Sequence, residues 1–216
     1  MPHFFITGTD TGVGKTWFTC WLVRAWRARG HDAIGLKPIA AGGREDAEQM
    51  RLASGGTLTL NEINPIHLRE PAAPLVAARA ENRTLDFTSL NAAITKTISR
   101  FSHAAIEGVG GWRVPLAPNY DVRDWARELG LPVVVVARAG LGTLNHTLLT
   151  VESIRAAGVT CAGVVLNFGA PELVEKSDVA LRTNGELLKN LLGLPVLKLD
   201  RAAEAAGQVP LWLGGE

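Results

Sequence analysis

The chain is short of cysteine, of charge imbalance and of long apolar runs, and each shortage removes a class of protein. Only two cysteines, Cys20 and Cys161, occur in 216 residues. A disulfide scaffold or a cysteine-based zinc module needs more, so two buried, reduced thiols are expected. Lysine and arginine (22) balance aspartate and glutamate (21), for a net charge of +1. No positive excess is available to grip a nucleic-acid backbone or an acidic membrane surface. The apolar run Leu131 to Ala137 is strand-length, far short of the roughly 20 residues of a membrane span. The opening segment, Met1-Pro-His-Phe-Phe-Ile-Thr-Gly8, lacks the charged head and long apolar core of a signal peptide. A cytoplasmic location is the expectation. The five histidines (His3, His31, His67, His103 and His146) have no metal-ligand spacing.

What is present is ordinary globular composition, 47% hydrophobic and 20% charged. The length predicts one domain, residues 1–216, able to bury about 70% of its unfolded surface. Strand and helix patterns alternate. Strands are expected at Phe4–Thr7, Ala33–Lys37, Ala104–Glu107, Leu131–Ala137 and Cys161–Leu166. Helices are expected at Lys15–Arg29, closed by Gly30, and at Glu45–Ala53, Pro71–Arg83, Thr88–Arg100, Leu144–Ala157 and Asp178–Leu191. Trp17, Trp21 and Trp26 recur at helical spacing and read as packing. Strands separated by helices pair in parallel through right-handed crossovers. The predicted class is therefore α/β, a mostly parallel sheet with helices on both faces. The stretch Arg113 to Asp121, with two prolines, is the longest irregular piece.

The strongest local signal is Gly8-Thr-Asp-Thr-Gly-Val-Gly14-Lys15-Thr16, between a strand and a helix. Glycines let successive N–H groups face one hollow, and a helix N-terminus there favours an anion. Lys15 would reach the β- and γ-phosphates of a nucleoside triphosphate, and the Thr16 hydroxyl would bind Mg²⁺. The spacing departs from the usual pattern: five residues separate Gly8 from Gly14, and Thr9 holds the nominal first-glycine position. The strand–loop–helix setting makes the fold P-loop NTPase-like. Such a site needs an acid for the metal. Glu107 ends an apolar strand beside glycines, where parallel sheets receive ligands. Asp46 stands between Glu45 and Glu48, and the residues alone do not choose among these acids.

Gly8 to Thr16 resembles the N-terminal motif of the dethiobiotin synthetases. So do Lys37-Pro-Ile-Ala40, Asp46-Ala47, Glu107-Gly-Val-Gly-Gly-Trp112 with Pro115-Leu116, and Gly140-Leu-Gly-Thr-Leu-Asn145-His146. Order and spacing agree from residue 3 to about 170. The resemblance implies an ATP-dependent ligase that closes 7,8-diaminopelargonate and CO₂ into dethiobiotin, a step of biotin biosynthesis. It implies a carbamate, then a carbamic–phosphoric anhydride, then ring closure with loss of phosphate. Lys37, Lys15 and Thr11 would be catalytic. Gly12, Val13, Gly14, Lys15, Thr16 and Trp17 would hold the nucleotide phosphates, with Gly108, Val109 and Gly110 alongside. Thr16, Asp46 and Glu107 would hold Mg²⁺. Asn167, Phe168 and Pro195-Val196-Leu197 would form the base pocket. Lys37, Ala41 and the loop Gly142, Thr143, Leu144 and Asn145 would bind the diamine substrate, the loop contact coming across a homodimer interface. Thr143 reads independently as a helix N-cap, and Trp112 is expected near the substrate.

Three positions depart from the family pattern. Ala41 stands where a hydroxyl residue is common, Phe168 where many members have a polar residue, and Lys198 where glycine is expected. The scaffold also admits a partition or septum-type ATPase switch. Those relatives carry an extra lysine early in the loop, where Asp10 stands here. A related amide-forming ligase would need an ammonia source and a second domain. A nucleotide-binding paralogue without turnover is suggested by Ala41 and the unusual C-terminal segment.

Overall fold

A computed structural model describes residues 2–169 and 179–215. Its centre is a six-stranded sheet of β1 (His3–Gly8), β2 (Ala33–Leu36), β5 (His103–Glu107), β8 (Val133–Arg138), β9 (Cys161–Asn167) and β10 (Val196–Leu199). The strand order is β10-β9-β8-β1-β5-β2, and every pairing in it is parallel. Successive residues of a strand face opposite ways, and β1 shows what covers each face. Phe4 stacks on Trp26 of α1 (Lys15–Ala28). Phe5 meets Trp125 of α6 (Val122–Leu129) edge to face. The sheet therefore has helices on both faces, as the alternation predicted. Val133 to Ala137 have no exposed surface, which is why that strand reads as an unbroken apolar run.

The remaining helices are α2 (Glu45–Ala53), α3 (Leu60–Ile63), α4 (Pro74–Ala80), α5 (Phe87–Ile98), α7 (Thr143–Ala156), α8 (Val179–Leu192) and α9 (Arg201–Ala206). Two small sheets join them. β3 (Ile39–Ala41) pairs in parallel with β4 (Ile66–Leu68), and β6 (Pro115–Ala117) pairs antiparallel with β7 (Tyr120–Asp121).

Several boundaries differ from the sequence reading. Strand β2 stops at Leu36, leaving Lys37 just beyond it. The Pro71–Arg83 helix shrinks to Pro74–Ala80, because Pro74 starts the first turn. The Thr88–Arg100 helix begins at Phe87, where Asp86 accepts a hydrogen bond from Ser89 N and caps it. The irregular stretch Arg113–Asp121 contains the β6–β7 hairpin. Val196 and Leu197, read as part of a base pocket, fall in the edge strand β10. Asp178, expected to open a helix, lies outside the described residues. Trp21 and Trp26 pack into the core as expected. Cys20 is buried and Cys161 half-buried, both free.

Candidate active site

Parallel pairing brings the C-terminal ends of the strands to one edge of the sheet. There the loop after β1 meets Lys37 after β2 and Glu107 at the end of β5. A cleft of ≈390 Å³ opens between them. It is lined by Thr11, Gly12, Gly14, Lys15, Thr16, Lys37, Ala41, Asp46, Glu107, Val109 and Gly110, all foreseen, and by Ala40 and Gly43, which were not.

The floor is an ionic cluster. Lys37 Nζ donates a short hydrogen bond to Glu107 Oε1 and stands 3.2 Å from Asp46 Oδ2. The Thr16 hydroxyl donates to the same Glu107 oxygen at 3.0 Å. Lys15 Nζ curls back to the Asp10 carbonyl at 3.0 Å. Glu107 is fully buried, and its Oε2 has no hydrogen-bond partner among the described residues. A buried, orphaned carboxylate oxygen is costly unless something else fills the gap. The two lysines hold their protons with different strength. Burial lowers Lys15 to about 8, with Lys37 adding to the fall and Glu107 and Asp46 opposing it. Burial also pulls Lys37 down, but Glu107 and Asp46 outweigh it and hold its ammonium above the usual lysine value.

The loop is shaped by glycine at its last turn. Gly14 has φ 96° and caps α1, a conformation in which a side chain is strained. A Cβ there would also lie 1.9 Å from Asn167 Nδ2. Val13 points into the core instead, 3% exposed, and Trp17 is half-buried on α1. Gly108 contributes its carbonyl, 3.5 Å from Lys37 Nζ.

Other foreseen residues lie apart from this cleft. Asn167 ends β9 and donates to the Val13 carbonyl at 2.9 Å. Phe168, Val196 and Leu197 pack partly buried against the core, and Pro195 is half-buried beside them. Gly142, not Thr143, caps α7, with φ 89°. Thr143 is buried, its hydroxyl turned toward Thr147. The first turn of α7, with Leu144 and Asn145, does not line the cleft. Trp112 is a plug: it is 3% exposed, and its indole donates to Ser153 on α7 at 3.2 Å.

Two features escaped the sequence reading. Asn64, 1% exposed, donates to the Lys37 carbonyl at 2.8 Å and the Ile66 carbonyl at 2.9 Å. Only an Asn-Pro turn marks it in the sequence. A second hollow of ≈410 Å³ adjoins the cleft, sharing Thr11, Ala41, Val109 and Gly110, with Pro71, Ala72, Ala73, Pro74 and Val114 as its outer wall.

A family model described as an AAA domain matches residues 3–199. The ATP-dependent dethiobiotin synthetase BioD of Anaeromyxobacter dehalogenans (strain 2CP-C) is 45% identical over 218 aligned positions, covering 97% of each chain. That of Aromatoleum aromaticum is 41% identical, covering 90% of this chain and 88% of its own. Among solved structures, the Pyrococcus horikoshii septum site-determining protein MinD with Mg-ADP superposes at TM-score 0.58 and 16% identity, over 95% of this chain and 86% of its own. The cell division ATPase MinD of Pyrococcus furiosus gives 0.55 at 17% identity, over 96% and 89%. These two likenesses establish a P-loop NTPase fold.

Proposed function

The chain belongs to the ATP-dependent dethiobiotin synthetase family, and from that premise we propose how its cleft performs the reaction. The enzyme is an ATP-dependent ligase. Its substrates are 7,8-diaminopelargonate, CO₂ and ATP, and its products are dethiobiotin, ADP and phosphate.

The observation that carries the proposal is the position of Lys37, buried, cationic and a step beyond the phosphate loop. One amine of the substrate captures CO₂ as a carbamate. A carbamate oxygen attacks the γ-phosphorus, breaking its bond to the β–γ bridging oxygen and releasing ADP. The second amine attacks the carbonyl carbon of the resulting anhydride, closing the cyclic urea and expelling phosphate. Such a transfer asks the protein for positioning and for charge stabilisation. The loop from Thr11 to Thr16 holds the phosphates, with Lys15 on the terminal groups. Lys37 lies between the carbamate and the γ-phosphoryl group. Val109, Gly110 and Ala41 wall the diamine.

The donor set fits Mg²⁺. Thr16 Oγ1, Asp46 and Glu107 offer hard oxygens, and the unpartnered Glu107 Oε2 is free to accept a new neighbour. When bound, the ion would neutralise phosphate charge. No cluster of three or more His, Cys, Asp or Glu side chains suited to a metal occurs among the described residues, so nucleotide oxygens and water would complete the shell.

Adenine sits by Asn167, Phe168 and the segment Pro195 to Leu197. The substrate carboxylate docks at the N–H groups opening α7, Gly142 to Asn145, of a second protomer. Leu141, 98% exposed just before α7, and Leu149, 58% exposed at its middle, offer apolar side chains to the partner copy.

Incubation with diaminopelargonate, bicarbonate and MgATP should yield dethiobiotin by mass spectrometry, and Lys37→Ala should abolish it in a folded protein. Near-normal turnover by Lys37→Ala would falsify the role given to this lysine.

A further inference from the structure

The ends of β8 and β9 reach across to the phosphate loop from outside the cleft. Arg138 and Asn167 are register partners on these neighbouring strands. Asn167 Nδ2 donates to the Val13 carbonyl at 2.9 Å. Arg138 Nη2 stands 3.5 Å from the Gly12 carbonyl, a longer and weaker contact. Two consecutive loop carbonyls are thus held by two adjacent strands, over sequence separations of 154 and 126 residues.

A trans peptide is planar, and its C=O and N–H point in opposite directions. Holding the Gly12 and Val13 carbonyls turns the Val13 and Gly14 N–H groups the other way. Anion capture by such a loop needs its N–H groups to converge. The geometry points to Asn167 as a positioning residue that fixes the phosphate loop in its anion-binding shape, with Arg138 in a minor supporting part. This rests on the reading of the loop as a triphosphate cradle, and it adds to the base-reading role proposed for Asn167.

Both roles fit one carboxamide. The Asn167 oxygen accepts from Gly169 N at 2.8 Å. Among the described residues that leaves one Nδ2 proton and one oxygen lone pair unspent, a donor and an acceptor for the edge of a base. A bound base would then tighten the same amide that holds the loop. Close packing enforces the arrangement, because only glycine at position 14 leaves room for the Asn167 amide.

The test separates base reading from loop positioning with tripolyphosphate, a ligand that has no base. Its affinity and that of ATP are measured by calorimetry on the full chain and on Asn167→Ala. Amide ¹⁵N order parameters of Val13 and Gly14 are read in the ligand-free protein. Asn167→Ala should weaken tripolyphosphate about three- to tenfold, the worth of one neutral hydrogen bond. It should also lower the order parameters while the melting temperature holds. Arg138→Ala should lower loop order less. If alanine also lowers the melting temperature, Asn167→Ser, too short to reach the Val13 carbonyl, takes its place. Unchanged tripolyphosphate affinity with unchanged loop order, alongside weaker ATP binding, would overturn the proposal and leave Asn167 a base reader alone. Loop order decides the matter without ligand. Failure of the wild-type protein to bind any triphosphate would instead count against the cradle.

Discussion

Lys15 and Lys37 share one cleft but differ in what fixes their charge. Lys37 has two carboxylates on its ammonium, so it stays cationic throughout the working range. Among the described residues Lys15 has the Asp10 carbonyl within hydrogen-bond reach, and burial lowers it to about 8. In the proposed cradle the protonated form would grip phosphate, so affinity should be full below about pH 8 and fall as the amine loses its proton above it. Calorimetry at pH 7, 8 and 9 should show the ATP dissociation constant rising by up to tenfold per pH unit above 8. A flat profile would mean that the ammonium survives to higher pH than its burial allows. Ala41 is the second residue to probe. It lines the cleft, at a position where the family resemblance implies a hydroxyl residue. Ala41→Ser should leave turnover unchanged or raise it by a few-fold, about one neutral hydrogen bond. A large loss would show that the pocket is shaped around the methyl group.

Among the elements, the small β3–β4 sheet does much for the site. It carries the chain away from Lys37, and Asn64 stitches it down through the Lys37 and Ile66 carbonyls. Arg44 holds the Asn64 oxygen in turn, Nε to Oδ1 at 2.9 Å. Asn64→Ala leaves the buried Lys37 carbonyl without that donor, a loss of roughly 1–3 kcal/mol where water does not replace it, and frees the half-buried Ile66 carbonyl at smaller cost. The expected result is a lower melting temperature and a several-fold drop in kcat, with ATP affinity kept, because the phosphate loop does not touch Asn64. Loss of ATP affinity in step with kcat would mean that the damage is general. This sheet also marks where sequence reading stops. The phosphate loop, the valine strand and the long helices were legible because their signals are local spacings. Glu107 was visible as an acid at a strand end, but choosing Asp46 over Glu45 and Glu48 took the family resemblance. β3, β4 and β10 are three or four residues long and are defined by distant partners, so no local period announces them. Thr143 satisfied the N-cap preference, yet Gly142 took the position with a left-handed turn that the side-chain rule does not foresee.

At the scale of the whole molecule, parallel pairing sorts the chain's polar chemistry to opposite edges. The ionic cluster sits at the C-terminal ends of the strands. At the other end, β5 opens on His103, 6% exposed and stacked on His31 at 4.2 Å between ring centroids. Its ring also lies 5.1 Å from that of Trp26. Burial lowers His103 to about 4, and His31 and His3 push it further the same way. The unfolded chain takes up this proton near pH 6.5, the folded chain only near 4. Between those values the unfolded state binds more protons, so stability is full above about 6.5 and falls as pH drops toward 4. Carboxylates confuse the lower part of that window, so pH 6.5 and 5 are the points to compare. The melting temperature should be lower at pH 5 by a few degrees, on the order expected for one histidine in a chain of this size. His103→Phe removes the titrating ring while keeping an aromatic surface against Trp26, and should remove most of that difference. Dethiobiotin formation at neutral pH should be spared, because the cluster lies at the opposite edge from the cleft. A wild-type protein equally stable at both pH values would show that the buried ring accepts its proton without cost.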